Sequence, residues 1–225
     1  MRLPVPILAA AVLAAAVCAA GCERTSDGVA NPNRAHVGQS VPSAQVDSVL
    51  LIPSQISDIV GVELRPRVEQ TRAVPGTSAD GPCAALGMQG FVGDGYSSFH
   101  VVLSSDGDGA DRNHVVAQAA SIYPDAATAE KAFVTATGSL GACNGREVRA
   151  GADWRYAVNE VTADTVRWNK EQKDSPQLWV CHGQARVRDN VIVHAMACQG
   201  DDGGEHIADV ILDRMSATVW ELAGR

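Results

Sequence analysis

The sequence predicts an α+β domain, a twisted and mostly antiparallel β-sheet flanked by helices. Three observations carry this expectation. The apolar periods run in the order helix, strands, helix, a meander of strands and a final helix, with no βαβ rhythm. The stretch Leu178–Cys198 reads as one long β-hairpin with a cysteine near each end. The C-terminal stretch Glu205–Leu222 sets Ile207, Val210, Ile211, Met215, Val219 and Leu222 on one face of a helix.

The first 21 residues are expected to lie outside the fold. Arg2 supplies a positive start, and Ile7 to Val17 is an apolar run of Ala, Val and Leu. That run is shorter than the ~20 residues a membrane-spanning helix needs. Ala19-Ala20-Gly21 before Cys22 offers a small-residue cleavage site. A cysteine directly after such a site resembles the lipobox of bacterial lipoproteins, with Ala19 where that motif usually carries Leu. The resemblance implies lipidation of Cys22, loss of Cys18 with the signal segment and an anchor on the extracytoplasmic face of the membrane. From residue 22 to 44 the chain is rich in Ser, Asn, Pro, Gly and Gln without a hydrophobic period, as a flexible tether would be. His36 falls in it and is expected to be solvent-exposed.

The domain proper is expected from Gln45 to the end at residue 225. Pro53 suits a first helical position, Ile56, Ile59 and Val60 follow at helical spacing, and Gly61 ends the run. Val62 to Pro82 reads as loop, being punctuated by Pro66, Pro75, Gly76 and Gly81. Phe99–Leu103 and His114–Tyr123 read as strands separated by a polar loop. Asp125 can cap a helix whose inner face is small, with Ala126, Ala129, Ala132, Phe133 and Ala136. Gly138 and Gly141 end it before Cys143. Arg155–Val161 and Thr165–Lys170 read as two further strands.

The hairpin can be tested by arithmetic. Asp189-Asn190 tolerates positive φ and suits a two-residue type I′ turn. Cross-strand partners then have residue numbers that sum to 379, and Cys181 with Cys198 meets that sum. The pair falls on a non-hydrogen-bonded rung, where Cα atoms lie ~4.5 Å apart, within reach of a disulfide. Without Cys18 and Cys22, four cysteines remain, and an even number behind a signal peptide implies disulfides. Pairing 181 with 198 leaves 83 with 143. One hairpin face carries Cys181, Ala185, Val187, Ile192, Met196 and Cys198, a core surface. The other sets Gln184, Arg186 and Arg188 against Ala195, Val193 and Val191, half polar and half apolar.

Several of these features together resemble the extracellular sensor domain of the mycobacterial-type serine/threonine kinase PknH, which also occurs as a free-standing lipoprotein. The matching residues are Leu50-Leu51 before a short helix ending in Gly61, Pro82-Cys83, Val115 to Tyr123 with Pro124-Asp125, and Phe133 to Cys143. Trp154, Trp179-Val180-Cys181 and Arg188-Asp189-Asn190-Val191 leading to Cys198 complete the match, which covers about residues 45–220. The resemblance implies a twisted antiparallel sheet flanked by helices, disulfides 83–143 and 181–198, and a cleft for an unidentified ligand. The chain as given carries no kinase domain, so it is not expected to phosphorylate anything itself.

Composition and motifs exclude much else. The formal charge is −8, with three lysines against fifteen arginines and no basic run. The electrostatic footprint of nucleic-acid binding is therefore missing. Asp106, Asp108 and Asp111 suggest a calcium loop, but Ala110, Asp111 and Ala117 stand where an EF-hand needs an oxygen ligand, Gly and Glu. Asp201 to Glu205 reads as a loop into the last helix. No HExxH or other metal-ligand spacing occurs, and no cofactor motif. Gly95-Tyr96-Ser97-Ser98 is not a nucleophile elbow, because Phe99 replaces the second glycine. His194 is expected as a core histidine on an apolar face. His182, on the polar face, is a candidate for ligand contact. Of ten aromatic residues, Trp154, Trp168 and Trp179 fall in the strand meander, where rings either fill the core or line an apolar groove.

The expectation is therefore a non-enzymatic, lipid-anchored binding or sensor module of the cell envelope. It would capture a small or lipidic ligand in a cleft between sheet and helices, on the mixed face of the hairpin. The alternative is an accessory subunit for an envelope protein partner such as a kinase or transporter. A hydrolase is the remote third reading and would need a histidine in reach of a serine or carboxylate.

Overall fold

The computed structural model describes residues 40–73, 81–87, 92–149, 152–173 and 178–224. The signal segment, Cys18, Cys22, His36 and the tether to residue 39 lie outside the described residues. Among the described residues, eight antiparallel strands form one sheet in the order β1-β2-β3-β8-β7-β6-β5-β4. They are β1 (Arg65–Gln70), β2 (Ser98–Ser105), β3 (His114–Ile122), β4 (Glu147–Arg149), β5 (Asp153–Val161), β6 (Thr165–Gln172), β7 (Val180–Arg188) and β8 (Val191–Gln199). The helices are α1 (Val46–Val49), α2 (Pro53–Val60), α3 (Ala126–Thr137) and α4 (Gly204–Ala223).

The caps follow the sequence signals. Pro53 opens α2, Gln55 Oε1 accepts from the Ile52 backbone N–H at 3.1 Å, and Gly61 closes the helix at φ 81°. Asp125 accepts from Thr128 N at 2.7 Å and caps α3, and this bond holds its carboxyl below the usual aspartate range.

The hairpin register is the expected one, with Cys181 opposite Cys198 and Arg188 opposite Val191. The two cysteines are disulfide-bonded with Cα atoms 3.9 Å apart, and Cys83 is bonded to Cys143. The turn differs in detail. Asp189 takes φ 49°, but Asn190 is not in the left-handed region, so the pair is not a type I′ turn. Asn190 is instead 2% exposed and used as a clamp. Its Nδ2 donates to the carbonyls of Tyr123 and Val41, and its Oδ1 accepts from Val41 N.

That clamp moves the start of the domain. Val41 is buried and packs into the core, four residues before the expected Gln45, because Asn190 satisfies its backbone. A second correction concerns Val62 to Pro82, read as loop, within which β1 forms. Its side chains are largely exposed and it carries Pro66, as an edge strand can. It therefore lacks the apolar alternation that reveals a strand in sequence. The three-residue β4 also lacked such a signal.

The core lies on both faces of the sheet. On one face Val116, Ala120, Ile122, Val191, Val193, Ala195 and Ala197 pack under α4, α1 and α2. Gln118, buried among them, bonds both the N–H (2.9 Å) and the C=O (2.7 Å) of Leu51 and so ties the α1–α2 link to β3. On the other face, Tyr156, Val166, Trp168, Ala185, Val187 and Ile192 pack against α3 and the Cys83–Cys143 bridge.

Candidate functional site

The mixed face of the hairpin is not a cleft wall. Its apolar half, Val191 to Ala197, lies against Ile207, Ala208, Ile211 and Met215 of α4. Its polar half meets the acids of the same helix. Gln184 Nε2 donates to Asp209, Arg167 pairs with Asp209 at 3.1 Å, and Arg186 reaches Asp213 at 3.0 Å and Ser216 at 3.2 Å. Arg188 pairs with Asp164 at 2.9 Å. His182 is buried beside the start of α4, where a side chain on Gly204 would meet its ring at 3.3 Å. The expectation of a ligand surface there, His182 included, is overturned. Arg167 and Arg186 face acids of α4, and Arg188 is held by Asp164 outside it.

The opposite face offers another arrangement at the disulfide end of the hairpin. The register aligns one row of side chains across five strands: Tyr156, Lys170, Cys181, Cys198 and Val115. Beside it Val115, Ala117, Met196 and the disulfide form a separate buried apolar cluster. Half-buried Leu103, Trp154 and Trp179 rim that cluster. Lys170 Nζ stands 4.6 Å from the centre of the Trp154 ring, a cation–π contact. Lys170 keeps part of its surface open, yet it lies deep among protein atoms. Burial pulls its pKa from 10.5 down to about 8. No carboxylate within ion-pair distance balances it among the described residues, and no neighbouring charge opposes the effect of burial.

The next row explains how the floor is built. Trp168 lies opposite Gly183, and a Cβ on that glycine would sit 2.4 Å from the indole ring. Only glycine lets the ring lie across β7, where it stacks on the imidazole of His194 at 5.3 Å with 18° between planes. His194 is thus a core histidine, as expected, and Trp168 fills the core rather than lining a groove.

Two other histidines meet carboxylates. His100 sits with Nδ1 2.7 Å from Asp47 and Nε2 2.9 Å from Glu69, joining α1 and β1 to β2. With a carboxylate at each ring nitrogen, neither nitrogen is left to activate a serine. His114 pairs with Asp106 at 2.8 Å, and Asp106 also accepts from the backbone of Asn113 and His114. Burial pushes the Asp106 carboxyl upward, but these bonds outweigh it and leave it below the usual range. Asp106 is therefore a loop cap, and Asp108 pairs with Arg67. Among the described residues no group of three or more His, Cys, Asp or Glu could hold a metal ion. Nor is any helix among them long and apolar enough to cross a membrane.

Sequence reasoning singled out Trp154 and Trp179 but missed Lys170. The signal was available, because a lysine facing the same way as Cys181 and Tyr156 breaks the apolar alternation of β6. Comparison with known proteins agrees with this fold. A family model described as "PknH-like extracellular domain" matches residues 41–217. The crystal structure of the extracellular domain of PknH from Mycobacterium tuberculosis superposes with a TM-score of 0.70 at 23% identity. The match covers 81% of this chain and 98% of that one. A search of curated proteins gives no match.

Proposed function

Because the chain belongs to the family of PknH-like extracellular domains, we propose that it is a lipid-anchored, extracytoplasmic binding or sensor module without catalysis of its own. It holds a small or lipidic envelope ligand on the sheet face at the disulfide end of the hairpin. The observation that carries this reading is the half-buried rim of Leu103, Trp154 and Trp179 around the Met196 and Cys181–Cys198 floor, with Lys170 set into it. Large rings left partly open over an apolar floor are the usual makings of a small-molecule site. The opposite face is closed by α4.

The start of the described chain and the site fall at opposite ends of the hairpin. The described chain begins at Ser40 beside the turn, since Val41 is clamped by Asn190. The Cys181–Cys198 rung is seven residues from the turn, roughly 23 Å along the strands. A tether from a lipidated Cys22 would enter the described fold at the turn end.

Native mass spectrometry of the protein purified from its own envelope tests both parts. The expected result is a diacylglyceryl-type mass on Cys22 that Cys22→Ser removes, and a non-covalent adduct that Trp154→Ala depletes. A bare chain, or an adduct indifferent to Trp154→Ala, would count against the reading.

A further inference from the structure

We propose that Lys170 anchors the single anionic group of an amphiphilic ligand whose apolar part lies on Trp154, Trp179 and Met196. This deepens the binding function proposed above and rests on it.

The inference starts from a charge inventory. The other described cationic side chains on strands meet carboxylates. Arg65 pairs with Glu63, Arg67 with Asp108, Arg155 with Glu147, Arg167 with Asp209, Arg186 with Asp213 and Arg188 with Asp164. Lys173, just past β6, pairs with Glu147 at 2.7 Å. Lys170 is the exception, although it lies deep among protein atoms. Its cross-strand neighbours are Tyr156 and Cys181, and its contact is the face of Trp154.

An ammonium carries three donors and no acceptor. The Trp154 ring attracts the charge but accepts no ordinary hydrogen bond. A buried cation without a counter-charge lowers stability, and burial accordingly pulls Lys170 toward its neutral form. An anion arriving from outside would reverse that, adding a charge-assisted hydrogen bond in a setting of low dielectric. The surroundings specify the rest of the ligand. Leu103, Val115, Ala117, Met196, Trp179 and the disulfide offer mainly apolar surface. A carboxylate or phosphate on a hydrocarbon chain satisfies both halves of the site, whereas a free inorganic anion uses only one.

Titration calorimetry of the full chain with decanoate, decyl phosphate, decanol and inorganic phosphate tests the proposal. Both anionic amphiphiles should bind roughly tenfold or more tightly than decanol, the increment expected of one charged hydrogen bond. Inorganic phosphate should show no measurable binding. Lys170→Met should abolish the anionic preference and keep decanol binding, while Lys170→Arg should retain a preference. Equal affinities for decanol and decanoate would overturn the anchor and leave the binding function intact. A preference that survives in Lys170→Met would do the same. If none of the three amphiphiles binds, both the anchor and the binding surface fail. Phosphate binding as tightly as decyl phosphate would overturn the apolar half of the ligand.

Discussion

Val41 and Asn190 lie 149 positions apart in sequence and exchange two hydrogen bonds, Val41 N to Asn190 Oδ1 at 2.8 Å and Asn190 Nδ2 to Val41 O at 3.0 Å. The same amide group also donates to Tyr123 O at 2.7 Å, and the Asn190 carbonyl accepts from Tyr123 N. One turn side chain therefore fastens the start of the domain, the end of β3 and the hairpin. Asn190→Ala should leave buried backbone groups without partners and cost about 3 kcal/mol, at 1–3 kcal/mol per orphaned group. Chemical denaturation checks this. A loss below ~1 kcal/mol would mean that water replaces the amide.

Gly183→Ala places a methyl carbon where the Trp168 ring lies, at 2.4 Å. The ring must tilt off β7 and leave its stack on His194. Destabilisation of about 1–3 kcal/mol is expected from overpacking, together with a change in near-ultraviolet dichroism. An unchanged spectrum would show that the ring has room to move.

The two bridges should contribute unequally. Cys83–Cys143 spans a sequence separation of 60 and Cys181–Cys198 one of 17. On the chain-entropy account these correspond to about 4 and about 3 kcal/mol respectively. Replacing each pair by alanine in turn and measuring denaturation checks the order. Equal losses would show that loop entropy does not govern.

Lys170 should make the fold more stable at high pH. Its pKa is about 8 in the fold against an ordinary 10.5, so between these values the unfolded chain binds more protons. The unfavourable contribution is fully present below pH 8 and fades as pH rises through 10.5. Discounted for the part of the side chain that meets water, it amounts to roughly 1–3 kcal/mol. Lys170→Met should stabilise the protein at pH 7 by that amount and bring no further gain at pH 10.5. A variant less stable than the parent at pH 7 would show that the ammonium is already compensated.

Much of the fold was legible because its signals are local. The hairpin could be read to the rung, since turn residues and cysteine numbers fix one register. The caps at Gly61 and Asp125 could be read because each satisfies a backbone group four or fewer residues away, and Pro53 because its fixed φ and missing N–H suit a first helical position. Edge strand β1 was not legible, since an exposed strand has no apolar period to display. The start at Val41 was hidden for another reason: its partner Asn190 is remote in sequence. The site was the least legible part. Arg186 and Gln184 looked like a ligand face until Asp213 and Asp209 of α4 were seen to meet them. Lys170 became visible as a charge with no described carboxylate beside it only when the carboxylates near the other strand cations could be assigned.

The most direct measurement is photo-crosslinking of the full chain with a decanoate carrying a terminal diazirine, mapped by tandem mass spectrometry. The account predicts labels on Leu103, Trp154, Trp179 and Met196, suppressed by excess decanoate and reduced in Lys170→Met. Labels on Gln184, Arg186 or the helix α4 that covers them would contradict it.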